Sequence, residues 1–131
     1  MKLIWYVAAG GAIGSVARLL LTALIQTKSG SELPVGTLVI NITGSLLLGF
    51  LLQYALATPE TSPEVRAFLT TGLCGGYTTF STFSYETAAL VQDGDYRRAA
   101  LYVILSVGVS LLGTFAGFAL ARELIALREG L

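Results

Sequence analysis

Gly72-Leu-Cys-Gly-Gly-Tyr-Thr-Thr-Phe-Ser-Thr-Phe-Ser84 is the stretch on which the fold turns. It lies inside a segment, Val65 to Val91, that is long enough to cross a bilayer, because about 20 helical residues span the hydrocarbon core. Glycine and hydroxyl residues nevertheless dominate it. The adjacent Gly75 and Gly76 each cost a helix about 1 kcal/mol relative to alanine. Thr78, Thr79, Ser81, Thr82 and Ser84 can then bond backbone groups that a broken helix frees. Non-helical backbone at such depth is tolerated only inside protein or along a watery path. A broken helix also offers oriented carbonyls and amides to ions. The segment therefore reads as an ion-handling helix broken near residues 75–79; the bland alternative is a kinked, hydroxyl-rich packing helix.

Outward from this stretch the chain is far more apolar. Leu3–Ile25, Val35–Ala57 and Ala99–Ala121 are each long enough to cross, and only Arg18 interrupts them with a charge. The connectors Gln26–Pro34, Thr58–Glu64 and Gln92–Arg98 hold all the prolines. Over 131 residues, 54% are hydrophobic and 12% charged, too few charges to cover a soluble domain of this size. Mean hydropathy is +0.75. The expected fold is an all-α membrane protein: a single membrane domain over 1–131 with four transmembrane helices per subunit, the third broken near its middle. The first span is too long for a signal-peptide core and three more follow, so it is kept as a membrane helix.

Several functions are excluded by what is missing. Zero net charge without a basic block leaves no nucleic-acid partner. One cysteine, Cys74, permits neither an internal disulfide nor a multi-thiolate metal site. With no histidine, zinc chemistry and imidazole catalysis have no basis, and no nucleophile–base pair suggests an enzyme.

Polar residues inside the spans carry the functional reading. Asn41 needs partners in hydrocarbon; its amide can donate to an anion or make an interhelical hydrogen bond. Tyr102, Ser106, Ser110 and Thr114 recur every four residues, forming a slowly winding hydroxyl stripe that reads as a track of neutral donors or as back-bonded packing residues. Phe80 and Phe83 share a helical face; ring edges toward a pore favour an anion, ring faces a cation. Arg18 and Glu86 are the charges well inside spans, and both fall nearer one membrane side. An Arg18–Glu86 pair is the favoured reading of Glu86, with Arg18 alternatively lending positive potential to a vestibule.

Basic residues divide almost evenly across the membrane. Lys2, Arg66, Arg122 and Arg128 stand on the side of the termini, against Lys28, Arg97 and Arg98, joined by Arg18 if it snorkels toward its nearer end. The positive-inside rule selects no orientation from that balance. Copies inserted both ways up could pair head to tail, or a weak bias could set one topology. Small residues at helix-packing spacing (Gly10 with Gly14, Gly11 with Ser15, Gly72 with Gly76, Gly113 with Gly117) fit packing either between or within chains.

Together these features resemble the Fluc (CrcB) family of fluoride ion channels over nearly the whole chain. Gly10-Gly11-Ala-Ile-Gly14 with Arg18, then Gly36-Thr37 with Asn41 and Gly44, then Gly75-Gly76-Tyr-Thr-Thr-Phe-Ser-Thr-Phe83 match its helix motifs. The resemblance implies an antiparallel, dual-topology homodimer in the cell inner (cytoplasmic) membrane, two fluoride pores, and a central structural sodium ion (Na+). It implies that Phe80 and Phe83 line the pores, with Asn41, Tyr102, Ser106 and Ser110, and that Ser81 and Thr82 lie in the same region. It further implies that Gly75 and Thr78 hold sodium through backbone carbonyls, and that Arg18 lies near the vestibule. The expected function is passive, selective fluoride export that lowers cytoplasmic toxicity. A small multidrug or guanidinium exporter coupled to protons is the alternative, although the first two spans contain no acid and only Glu86 could serve.

Overall fold

Helix α1 (Lys2–Ser29) stops at Gly30, whose φ of +58° is the left-handed conformation that glycine adopts without strain. The Gln26 side chain then ties down the connector. Its Nε2 donates to the carbonyls of Ser31 (2.8 Å) and Leu33 (3.1 Å), and its Oε1 accepts the Gly36 N–H (3.0 Å) at the start of α2 (Val35–Ala57). This computed structural model describes residues 1–131 and contains helices and no strand.

After α2, the Ser62 side chain caps the next helix by accepting the Val65 N–H, with Pro63 at the first position where a missing N–H costs nothing. Helix α3 (Pro63–Ala67) passes into a π-helical segment (Phe68–Cys74) and then α4 (Gly75–Tyr77). Thr78 (ψ 157°) and Thr79 (φ −152°, ψ 114°) are extended, and α5 (Phe80–Gln92) resumes under a Thr79 side-chain cap on the Thr82 N–H. Helix α6 (Tyr96–Glu129) is capped by Asp95 and continues past the expected end at 121. At 1.5 Å per residue it is roughly 50 Å long, so its last turns reach beyond the hydrocarbon.

Three helices, α1, α2 and α6, are long and apolar enough to cross a membrane. The polar passage from Pro63 to Gln92 is assembled from shorter pieces beside them. The chain is a multi-pass, all-helical membrane protein.

Close packing uses the small residues within the chain. α1 lies against the π segment and α4, and α2 packs most extensively on α6. A Cβ on Gly76 would stand 2.6 Å from the Gly11 carbonyl, and one on Gly14 would collide with the Leu73 carbonyl. On the other pair, a Cβ on Gly117 would strike Leu46 and one on Gly49 would lie 2.5 Å from the Thr114 carbonyl. Gly75 and Gly76, expected to interrupt the helix, are themselves helical. Gly76 serves the approach of α1, and the extended residues are the two threonines that follow. Gly76→Val should therefore cost about 1–3 kcal/mol, because the obstacle is backbone that cannot rotate away. Gly108→Ala, with nothing within 4 Å of the added Cβ and a better helix former inside α6, should leave the melting temperature in detergent unchanged or raise it. Equal melting of both variants would contradict this packing.

Candidate functional site

The extended Thr78–Thr79 link exists because Asn41 holds it. Asn41 Nδ2 donates to the Thr79 carbonyl at 3.0 Å, and the Thr79 N–H donates to Asn41 Oδ1 at 2.8 Å. One amide thus satisfies both backbone groups of a residue that has left the helix. Of the two readings of Asn41, the interhelical bond is present, and Nδ2 makes no second hydrogen bond within the chain.

Beside this clamp lies a groove of about 370 Å³ between α2, the break and α6. Asn41, Phe80, Phe83, Ser106 and Ser110 line it together, with Thr78, Thr79, Ser45 and Thr114 among its other walls. The Ser106 and Ser110 hydroxyls are shielded from solvent and have no hydrogen-bond partner in the protein. A buried unsatisfied hydroxyl costs about 1–3 kcal/mol, so two on one wall call for a hydrogen-bond partner from outside the chain. Thr114 differs: its hydroxyl bonds back to the Ser110 carbonyl at 3.2 Å and reaches the Ser45 carbonyl at 3.4 Å. The Phe80 and Phe83 ring centroids are 5.5 Å apart and tilted by 59°, and Phe83 meets Tyr102 edge-on at 5.2 Å.

Tyr102 is fully buried but does not line the groove. Its hydroxyl donates to Glu86 Oε2 at 2.7 Å, and the Thr37 hydroxyl donates to Glu86 Oε1 at 2.7 Å. The expected Arg18–Glu86 pair is not formed. Glu86 is satisfied by two hydroxyls from α2 and α6, and the ion pairs of the chain are those of Arg98 with Glu32 and Asp95.

Arg18 instead borders a second cavity of about 430 Å³ with Thr22, Gln26, Thr37, Thr79 and Thr82, and its Nε is buried without a partner. Thr82 faces this cavity rather than the groove, and Ser81 is exposed, its hydroxyl 3.3 Å from that of Thr79. Thr79 lines both spaces. Thr37 and Ser45 were not expected at the site, and Thr79 was expected only to bond backbone groups freed by the break, which it does at the Thr82 N–H. Their hydroxyls are unremarkable in one dimension, and only the helix crossing brings them to these walls.

The carbonyls of Gly75 and Thr78 share a distinctive condition. The Thr79 N–H that a continuous helix would give to Gly75 is taken by Asn41, and the Thr82 N–H due to Thr78 is taken by the Thr79 hydroxyl. Carbonyl oxygens released from a helix are hard donors, and these two are the candidates in the break for holding a cation.

Comparison with known proteins identifies the family. Residues 5–118 match the profile of the family described as CrcB-like protein, Camphor Resistance (CrcB). The chain is 46% identical over 125 residues to a protein of Rhizobium meliloti (strain 1021) named fluoride-specific ion channel FluC, covering 95% of this chain and 100% of that one. Relatives of the same name in Geobacter sulfurreducens and Aquifex aeolicus are 46% and 40% identical over 124 residues, again across 95% of this chain and 100% of theirs. Across nearly its whole length, therefore, the chain belongs to the CrcB family.

Proposed function

We propose that the protein is a passive, selective fluoride channel of the cytoplasmic membrane, exporting the ion and so lowering its toxicity inside the cell. The observation that carries this reading is the wall of orphan donors: Ser106 and Ser110 offer O–H groups that nothing in the protein accepts. Fluoride is small and strongly hydrated, so a path must replace its water with donors yet let it leave. Neutral hydroxyls and the positive rims of Phe80 and Phe83 do this without a fixed charge in the groove to trap the ion. Arg18, in the neighbouring cavity, raises the local anion concentration. The membrane potential, worth ~2.3 kcal/mol per charge per 100 mV, drives anions outward without coupling.

The conducting unit in this reading is a head-to-tail homodimer. Phe80 is 77% exposed in the single chain and Gly75 is exposed as well. A groove wall and freed carbonyls cannot face lipid. A second copy inserted the other way up covers them, in keeping with the balanced basic residues. The Thr78–Thr79 link is then the mid-membrane break of the third crossing. The Gly75 and Thr78 carbonyls would hold a structural sodium ion, which supplies the positive charge that their aligned dipoles lack. Glu86, bonded to Thr37 and Tyr102 away from the groove, is poorly placed for proton-coupled cation export.

Purified protein in liposomes, followed with a fluoride electrode, tests the reading. Efflux set by the potential and indifferent to a proton gradient is expected. Vesicles that retain fluoride, or transport that follows the proton gradient, would refute it.

A further inference from the structure

At the end of the bundle that holds the termini, a pocket of about 290 Å³ opens between α2 and the start of the third passage. Its walls are mixed. Phe50, Leu51, Val65 and Leu69 are apolar, whereas Tyr54 and Arg66 are not. Arg66 has no carboxylate within ion-pair distance. Its Nη2 reaches the Ala55 carbonyl near the end of α2 at 3.4 Å, and its Nε is shielded without a partner. That cap is long and engages one of the guanidinium's five donors. The remainder of a positive fork is left facing a cavity without a counter-charge.

Tyr54 adds a second donor. Its hydroxyl oxygen accepts from Arg128, whose guanidinium carbon lies 5.9 Å from the ring centroid, so the phenolic proton is free to point elsewhere. The ring is steadied by stacking on Phe50 at 5.9 Å. Arg66 sits one turn into a helix that starts at Pro63, and the exposed Trp5 and Tyr6 mark the same end of α1. Tryptophan and tyrosine gather at the headgroup level of a bilayer.

We propose that this pocket binds one anionic phospholipid, its phosphate held by Arg66 and the Tyr54 hydroxyl and its first acyl carbons lying on Phe50, Leu51, Val65 and Leu69. Charge complementarity selects the occupant. A fork of N–H donors pairs with two phosphate oxygens, basic pockets between membrane helices take anionic headgroups, and the apolar wall suits an acyl chain rather than a soluble anion.

Native mass spectrometry of the full-length protein tests this, with phosphatidylglycerol and phosphatidylcholine of equal chain length supplied together. Retention of phosphatidylglycerol in preference to phosphatidylcholine is expected, and R66Q should lower it about fivefold or more. R122Q, which removes an exposed charge at the same end, should retain it as the parent does. Tyr54→Phe leaves the α2 cap intact and should still weaken retention, which separates headgroup binding from a loss of folding. Equal retention by R66Q, equal loss in R122Q, or no lipid retained because a second copy covers Arg66 would overturn the proposal. So would stabilisation by inorganic phosphate alone, which would mark the pocket as a free-anion site.

Discussion

Asn41→Asp should reduce fluoride efflux from liposomes by roughly a hundredfold or more, the largest effect expected of any single substitution here. Two losses coincide. Asn41 Nδ2 now donates to the Thr79 carbonyl at 3.0 Å; a carboxylate oxygen in its place would face that carbonyl as one acceptor against another. The new charge also stands in the groove proposed as the anion path, and a carboxylate within a membrane helix carries a penalty of about 2.5–3.5 kcal/mol. At 1.4 kcal/mol per factor of ten, either loss alone is about tenfold or more, and together they approach abolition. Asn41→Ala separates the two, since it releases the break without adding charge, and it should lower the melting temperature as well. Efflux at the parental rate in the aspartate variant would remove Asn41 from the pathway.

Ser106→Ala combined with Ser110→Ala should give the opposite signature, a protein at least as stable that conducts poorly. Because neither hydroxyl has a partner in the protein, deleting them relieves an unsatisfied polar group and should leave the melting temperature unchanged or raised. A hydrogen bond to a charged group is worth about 1.5–3 kcal/mol, so losing both donors should slow fluoride by roughly a hundredfold. A lower melting temperature with efflux intact would instead make the serines structural. Stability and flux thus move independently at these serines and together at Asn41, because Asn41 serves the backbone and the serines serve none of it.

The membrane character and the element order were legible in residue order. The second apolar run, expected at 35–57, coincides with α2 at Val35–Ala57. Gly30, Ser62, Pro63 and Asp95 punctuate helices as local chemistry dictates. Less legible was the π-helical turn at Phe68–Cys74, which no residue type announces. It lies where α1 presses its glycines against the third passage, a juxtaposition that only the tertiary structure shows.

Polar side chains divide along the same line. Residue order alone established that amides, hydroxyls and two charges must be housed inside hydrocarbon, since transfer free energy depends only on side-chain chemistry. Which of them were already satisfied was a tertiary decision, because a hydrogen bond joins whatever the helix crossings bring within 3 Å. Asn41 found Thr79, 38 residues away; Glu86 found Thr37 and Tyr102 and left Arg18 without a carboxylate. Ser106 and Ser110 found nothing, and it is on those two vacant donors, invisible in the spacing of the hydroxyl stripe, that the proposed anion path rests.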